Sequence, residues 1–484
     1  MSERNEWDSS LAFIFAMVGS AVGLGNIWRF SYELYANGGG SFFIPYLTAI
    51  AVMGVPFLIL EYGLGFTFKD SFSNILRRIN QRSEMIAWII VLFVFVVVVY
   101  YMVILGWDFV YLISSFNFSW GTDPALYFTK VVGGSSNLSN MGSFLIPTTI
   151  SVLILWIALW FISREDIDKG IGLVSKILIP SLFVIMGIIV VYAFSLPGAS
   201  IGIETLLNPD WGMLLKVNIW LAAFSQIIFS LSMGQAIAIT YASYLPENSK
   251  LVDNVLIVVV SNSVFEIFTA LGVFSILGYM SHTAGTPMTQ LITQGTGLIF
   301  VVFPMIFNVM GPMGRILAPL LFLAILFAGI TSALGFFEPI LSSLCDKLNW
   351  TRKKTATILV FVACIFSLLL TNGISSYLIE IIDSFVNEFG ILFFIGVQCI
   401  IFAWYYGVEK LIPVLNANST FKVGKIWTFL IKYFLPVFLI FIWVVGIVSL
   451  FEDAETFRLI IDFIIVVSVL TFAFILTKIN SNDG

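Results

Sequence analysis

Long apolar runs, bounded by polar residues or by glycine and proline, dominate the chain. They predict helices over 10–36, 41–68, 85–115, 143–162, 170–195, 214–244, 252–280, 313–345, 355–371, 375–406, 425–451 and 456–477. A bilayer span needs about 20 apolar residues, so the pattern predicts an all-α polytopic membrane protein with twelve transmembrane helices in a single membrane domain, 1–484. An even number of spans puts both termini on one side. Residues 1–9 (MSERNEWDS) are polar and the first apolar run is interrupted by glycine, so no removable signal peptide is expected.

The basic residues choose the side. Connections on the terminal side hold 18 Lys and Arg, among them Arg77, Arg78 and Arg82 and the Arg352–Lys353–Lys354 run. Connections on the other side hold 4: Lys130, Lys216, Arg315 and Arg458. The positive-inside rule then places both termini in the cytoplasm of a cell that carries this protein in its plasma membrane. It also places the long 282–312 connection outside. That segment is apolar (GLIFVVFPMIF, 297–307), which suits either a loop on the bilayer surface or a helical cap over an external vestibule.

Composition narrows the function classes. Hydrophobic residues are 59 % of the chain, charged residues 11 %, and mean hydropathy is +1.02. A water-soluble globule could not cover so much apolar surface, and disordered chains are polar. The net charge is −5 and no basic patch stands apart from the membrane pattern, which argues against nucleic-acid binding. His282 is the single histidine, and Cys345, Cys364 and Cys399 fall in or beside apolar segments. Histidine-rich metal chemistry, an organic cofactor and a disulfide framework are therefore not expected. A membrane enzyme would need a cluster of reactive side chains at one depth, and a channel a polar ring repeated by symmetry.

Two predicted helices carry breaks. The first contains GSAVGLGNIWRF (19–30), and the sixth contains QIIFSLSMGQAIAITYASY (226–244). Glycine inside a helix is worth about 1 kcal/mol less than alanine. Non-helical backbone within a bilayer is tolerated where it is buried or lines a cavity. Small-residue helix packing is the other reading of such spacing. Two such helices, five apart, suggest two repeats, 8–195 and 212–406, each opening on an interrupted helix, with accessory helices over 425–477. That is the plan of a transporter with its site at the breaks.

Charged and polar residues inside spans tend to face a cavity or one another. Glu61 suits a structural role, accepting from free N–H groups of a neighbouring broken helix. Asn262 and Glu266 lie one turn apart on one face. They suit either a dehydrated hard cation, which wants several oxygens and negative charge, or a helix–helix hydrogen bond. Thr331 and Ser332 are adjacent hydroxyls, and Tyr100 and Tyr101 fall mid-span; neither pair is decisive by itself.

Taken together, these residues resemble the neurotransmitter:sodium symporter family over nearly the whole chain. The resemblance rests on GSAVGLGNIWRF and NGGGSFFIPY (37–46), on Tyr100-Tyr101, on QIIFSLSMG and ITYASY, on Asn262/Glu266, on AGITS (328–332) and on Asp383. It implies a 5+5 inverted repeat and two sodium ions. One would be held by the Ala21 carbonyl, Asn26, Asn262, Ser230 and the substrate carboxylate. The other would be held by carbonyls of Gly19, Val22 and Ala328 and the hydroxyls of Thr331 and Ser332. An amino-acid substrate would place its carboxylate on N–H groups of Gly23 and Leu24 and on Tyr101, and its ammonium on carbonyls of Ala21, Phe229 and Ser230 and on Ser232. Val97, Tyr101, Phe229, Ser232, Gln235, Ser332 and Phe336 would line the side-chain pocket. Phe229 and Tyr101 would form a lid backed by an Arg29–Asp383 pair, and Arg4, Trp7, Tyr244 and Asp346 an inner gate.

Departures from the family pattern shape the remaining expectations. Gly234-Gln235-Ala236 stands where the family often has Gly-x-Gly, which with bulky Phe336 favours a small or polar neutral L-amino acid. Gly23 carries no carboxylate, which disfavours the alternative of a small-amine carrier. Tyr46, Gln226 and Ser230 match the positions around chloride in animal relatives, and Glu266 would supply a fixed negative charge there. Chloride-independent transport is expected, with proton counter-transport as Glu266 returns without sodium. The 116–142 connection lacks the cysteine pair of animal relatives, which points to a prokaryotic protein.

Overall fold

The computed structural model describes residues 6–293, 295–452 and 455–479. Among them the regular structure is all helical, apart from one isolated bridge between Phe144 and Asn372. The elements that place the site are α1 (Ser10–Ala21), α2 (Leu24–Ala36), α3 (Gly39–Phe68), α4 (Ser83–Ser115), α5 (Ile146–Ser163) and α6 (Asp168–Phe194). They continue with α7 (Ala199–Leu207), α8 (Val217–Ser230), α9 (Ile237–Ala242), α10 (Leu251–Ala284), α11 (Leu298–Met310) and α12 (Gly314–Leu348). The chain closes with α13 (Arg352–Leu369), α14 (Ser375–Asn418), α15 (Lys425–Ile447) and α16 (Thr456–Lys478).

Among the described residues nine helices are long and apolar enough to cross a membrane, and up to eleven spans result if each of two sharply bent helix pairs is one span. The expected count of twelve is thus met only in its coarser form. The helix α13 falls short because it opens on Arg352, Lys353 and Lys354. Burial separates centre from rim. The apolar window of α4 is 83 % buried and that of α12 is 78 %, against 17 % for α16. Side chains that are apolar all round a helix need neighbours on every face. The α4–α12 pair has them, whereas α16 presents Phe463, Phe472 and Phe474 outward, as lipid-facing surface requires.

The first break is where the glycines put it. A 54° bend separates α1 from α2, with Val22 and Gly23 between them. The sixth predicted helix also divides, into α8 and α9, across Leu231–Ala236. Ser232, Gly234 and Ala236 there have φ of 49°, 72° and 63°. Left-handed backbone ends a right-handed helix, and only one of the three is a glycine.

Two stretches differ from the sequence reading. Residues expected as connection between the fifth and sixth helices form α7, which packs on α10 with Gly202 against the Phe274 carbonyl; a Cβ there would overlap it. The 282–312 connection contains α11, with Leu298, Ile299, Phe300 and Phe303 buried. Of the two readings left open, the helical one describes it.

Candidate functional site

Both breaks meet beside α10 and α12. In the first, Gly23 N–H donates to Asn26 Oδ1 at 2.8 Å. Asn26 in turn donates through Nδ2 to Asn262 Oδ1 at 2.8 Å and to Glu266 Oε1 at 3.1 Å. Asn262 donates to Ser230 Oγ at 2.5 Å, at the last turn of α8. Glu266 also accepts from Gln226 at 2.9 Å and from Tyr46 at 2.6 Å. The structure thus unites the side chains expected for one sodium with those expected around a compensating charge. All six side chains are buried, and Glu266 is the only ionisable carboxylate among them. One expectation changes: the Gly23 N–H is taken by Asn26 rather than left free. The Leu24 N–H, at the first position of α2, is without an acceptor in its own helix.

The second set of oxygens lies between α1 and α12. Ser332 donates to the Gly19 carbonyl at 3.1 Å, and Thr331 donates to the Ala328 carbonyl at 3.0 Å. A Cβ built on Gly19 would approach Thr331 Cβ to 2.8 Å, so the helices touch here. With the Val22 carbonyl at the break, this fits a cation held by uncharged oxygens across two helices.

Between the breaks lies the expected substrate region. A Cβ on Gly23 would come to 2.9 Å from Ser332 Oγ and 3.5 Å from the Tyr101 hydroxyl, so glycine lets these groups reach the backbone. The Tyr101 hydroxyl is buried beside Ser332 and the Leu24 amide, in full hydrogen-bond geometry with neither. Val97 stands one turn away on the same face. Phe336 meets the Tyr101 ring edge-on at 5.3 Å. Ser232 donates to the Ser20 carbonyl at 3.2 Å, tying the two breaks together. Gln235 is buried and its Oε1 has no partner. Ala21 ends α1 and is buried at the same place.

Among the described residues Arg29 and Asp383 of the outer pair are near one another without a direct ion pair. Arg29 donates to Ser225 Oγ at 3.0 Å, lies 3.9 Å from Glu33 and covers the Phe229 ring at 4.6 Å. Asp383 instead accepts from Tyr100 at 2.6 Å and from Asn387 at 2.9 Å. A guanidinium is a good partner for an aromatic face, and the phenol of Tyr100, next in the chain to the lid residue Tyr101, suits the carboxylate. At the other end, Trp7 Nε1 donates to the Tyr241 carbonyl at 2.9 Å, and its N–H to the Tyr244 carbonyl at 2.9 Å. Arg4 lies outside the described residues; Asp346 is in the last turns of α12.

Two groups were not anticipated. Glu338 is wholly buried, accepts from Tyr244 at 2.9 Å, and forms a two-point pair with Arg352 at 2.6 and 2.7 Å. Gln398 of α14 donates to the Gly234 carbonyl at 2.9 Å, holding the second break. Glu61, expected to accept from free N–H groups of a broken helix, is buried, but among the described residues neither of its carboxylate oxygens has a hydrogen-bond partner. The charge of Glu338 inside FFEP was the available signal for the first; an amide in an apolar run, Gln398, was the signal for the second.

Comparison with known proteins adds an independent line. The family model described as the sodium:neurotransmitter symporter family matches residues 4–130 and 122–479. A Methanocaldococcus jannaschii protein described as an uncharacterized sodium-dependent transporter is 38% identical over 90% of this chain and 89% of its own. A sodium-dependent dopamine transporter of Caenorhabditis elegans is 27% identical over 88% of this chain and 77% of its own.

Proposed function

Because the chain belongs to the sodium:neurotransmitter symporter family, whose members are sodium-coupled transporters and not enzymes, we propose that it carries neutral L-amino acids into the cell with two sodium ions, by alternating access. The observation that carries this reading is the junction of the two breaks. Uncharged oxygens from five elements, one buried carboxylate, and the Leu24 and Tyr101 donors all converge between α2, α8, α10 and α12. The substrate carboxylate would complete the first cation site, so each ligand raises the affinity of the other, reciprocally. The second cation would tie α1 to α12 and bias which side is open. In this reading α13 supplies the twelfth span, and the two repeats are inverted about the bilayer plane.

The relative that transports dopamine raises the alternative of an amine. An amine without a carboxyl group needs a counter-charge at the first break, where Gly23 has none, and its pocket would leave the Leu24 and Tyr101 donors unmatched. Gln235, with an unpartnered acceptor, favours a side chain that is small or bears a donor, such as alanine, serine or glutamine. Glu266 supplies the charge that chloride would otherwise provide, and it returns neutral, by exchange for a proton, when sodium has left.

Uptake into proteoliposomes tests the whole reading. Uptake of one or more of the twenty amino acids should need sodium and persist when gluconate replaces chloride. Indifference to potassium in place of sodium, or competition by dopamine and by no amino acid, would sink it. Glu266→Ser should make uptake chloride-dependent.

A further inference from the structure

One helical row beyond the substrate region contains a group that none of this uses. On α4, Tyr101, Leu105, Asp108 and Tyr111 fall three or four residues apart and share a face. Their observed neighbours confirm the row: Tyr101 meets Phe336, Leu105 meets Gly329, and Tyr111 meets Phe322, all on α12. Asp108 falls between the last two, at the height of Ile325. Its exposure is 0 %, and among the described residues neither carboxylate oxygen has a hydrogen-bond partner.

By that register the α12 residues opposite Asp108 are Phe322, Ile325 and Gly329, all buried and without a charge, and α5 meets α4 two residues earlier, at Gly106, through Val152 and the Thr148 backbone. The ionisable groups of the row are the phenols of Tyr101 and Tyr111. Among the described residues no lysine, arginine or histidine is paired with Asp108, and no other side chain is hydrogen-bonded to it. A bare carboxylate in such a place would be disfavoured by several kcal/mol relative to water. A cation such as sodium would need about six oxygens, and Asp108 has only its own two. A proton needs nothing further.

We propose that Asp108 is a proton-binding site linked to sodium binding: it carries a proton while the row is sealed, and gives that proton to water when the site opens and sodium enters. Water that reaches the substrate region passes Tyr101, about 10 Å along α4 from Asp108 at 1.5 Å per residue. The ionised carboxylate then faces an incoming cation across an apolar interior, where charges interact strongly. Both effects make proton and sodium mutually exclusive. The inference rests on the transporter reading for the opening alone, not on which solute is carried.

The test uses the purified full-length chain and sodium alone as the probe, with affinity measured between about pH 5 and pH 9. One linked proton changes an affinity by at most about tenfold per pH unit. Wild-type sodium affinity should rise with pH. Asp108→Asn should flatten that rise by one proton's worth, and Asp108→Glu should keep it with a displaced midpoint. A wild-type profile retained in Asp108→Asn would overturn the proposal. So would an equal change in sodium affinity at every pH, which would mark a cation ligand. Failure of amino-acid uptake would leave it standing, since no substrate is used.

Discussion

Asn26 and Glu266 are the most connected side chains of the site, with three hydrogen bonds each; the Asn26 amide oxygen takes the Gly23 N–H and its amide nitrogen serves both Asn262 and Glu266. Asn26→Ala leaves several buried groups short of a partner, at about 1–3 kcal/mol each. Sodium affinity and substrate affinity should fall together by at least about tenfold, corresponding to about 1.4 kcal/mol; sodium binding measured with and without substrate checks it. Ala236 poses a different balance. Its φ of 63° is unfavourable for an L-residue by about 1–2 kcal/mol. Ala236→Gly relieves that, but loses a buried methyl worth about 0.8 kcal/mol and adds about 0.5–1 kcal/mol of backbone entropy. The glycine variant should therefore unfold within about 1 kcal/mol of the parent, whereas Ala236→Val, β-branched in the same conformation, should be clearly less stable; thermal unfolding of the two distinguishes them. Both residues stood out in the sequence, Asn26 by its motif and Ala236 by replacing a glycine. The bond between Asn26 and Asn262 was not legible from the residues alone, because they are 236 positions apart and a hydrogen bond across that separation leaves no local pattern.

At the end of the bundle beyond the second break, three elements are joined by one buried carboxylate. Glu338 links α12 to Arg352 at the start of α13 and to Tyr244, just past α9, while Tyr244 and Trp7 are in edge contact at 6.3 Å. Arg352 also donates to the Glu165 carbonyl at 2.7 Å, between α5 and α6. Removing one partner of such a pair leaves an uncompensated charge, at about 3–5 kcal/mol. Glu338→Gln should loosen this end and raise the labelling rate of Cys345, half-buried nearby, by several-fold in a Cys364→Ser background. Unchanged labelling would show that the pair does not hold this end closed. The sequence placed Glu338 in a helix and Arg352 in a basic run; it could not pair them, since hydropathy says that a charge is inside and not which partner meets it. The helices α7 and α11 were obscure for a related reason. Their apolar faces are short and irregular, and they are helices because α10 and α12 cover them.

For the molecule as a whole, the expected consequence of the basic-residue distribution is that both ends lie on one side. Protease-cleavable tags at either terminus should both resist cleavage from outside intact cells and both yield once the membrane is permeabilised; cleavage of one tag alone would refute the paired orientation. Membrane residence, the number of long apolar helices to within a few, the two breaks and the family were all legible without coordinates. They follow from local quantities: how many apolar residues occur in succession, where glycine interrupts them, and where lysine and arginine fall. Tertiary structure alone decided how the oxygens of the site bond to one another, that Arg29 covers Phe229 while Asp383 takes Tyr100, that Glu338 finds Arg352, and that Asp108 finds no partner among the described residues. Those outcomes depend on which helix faces meet at which height, and the packing of the whole chain sets that.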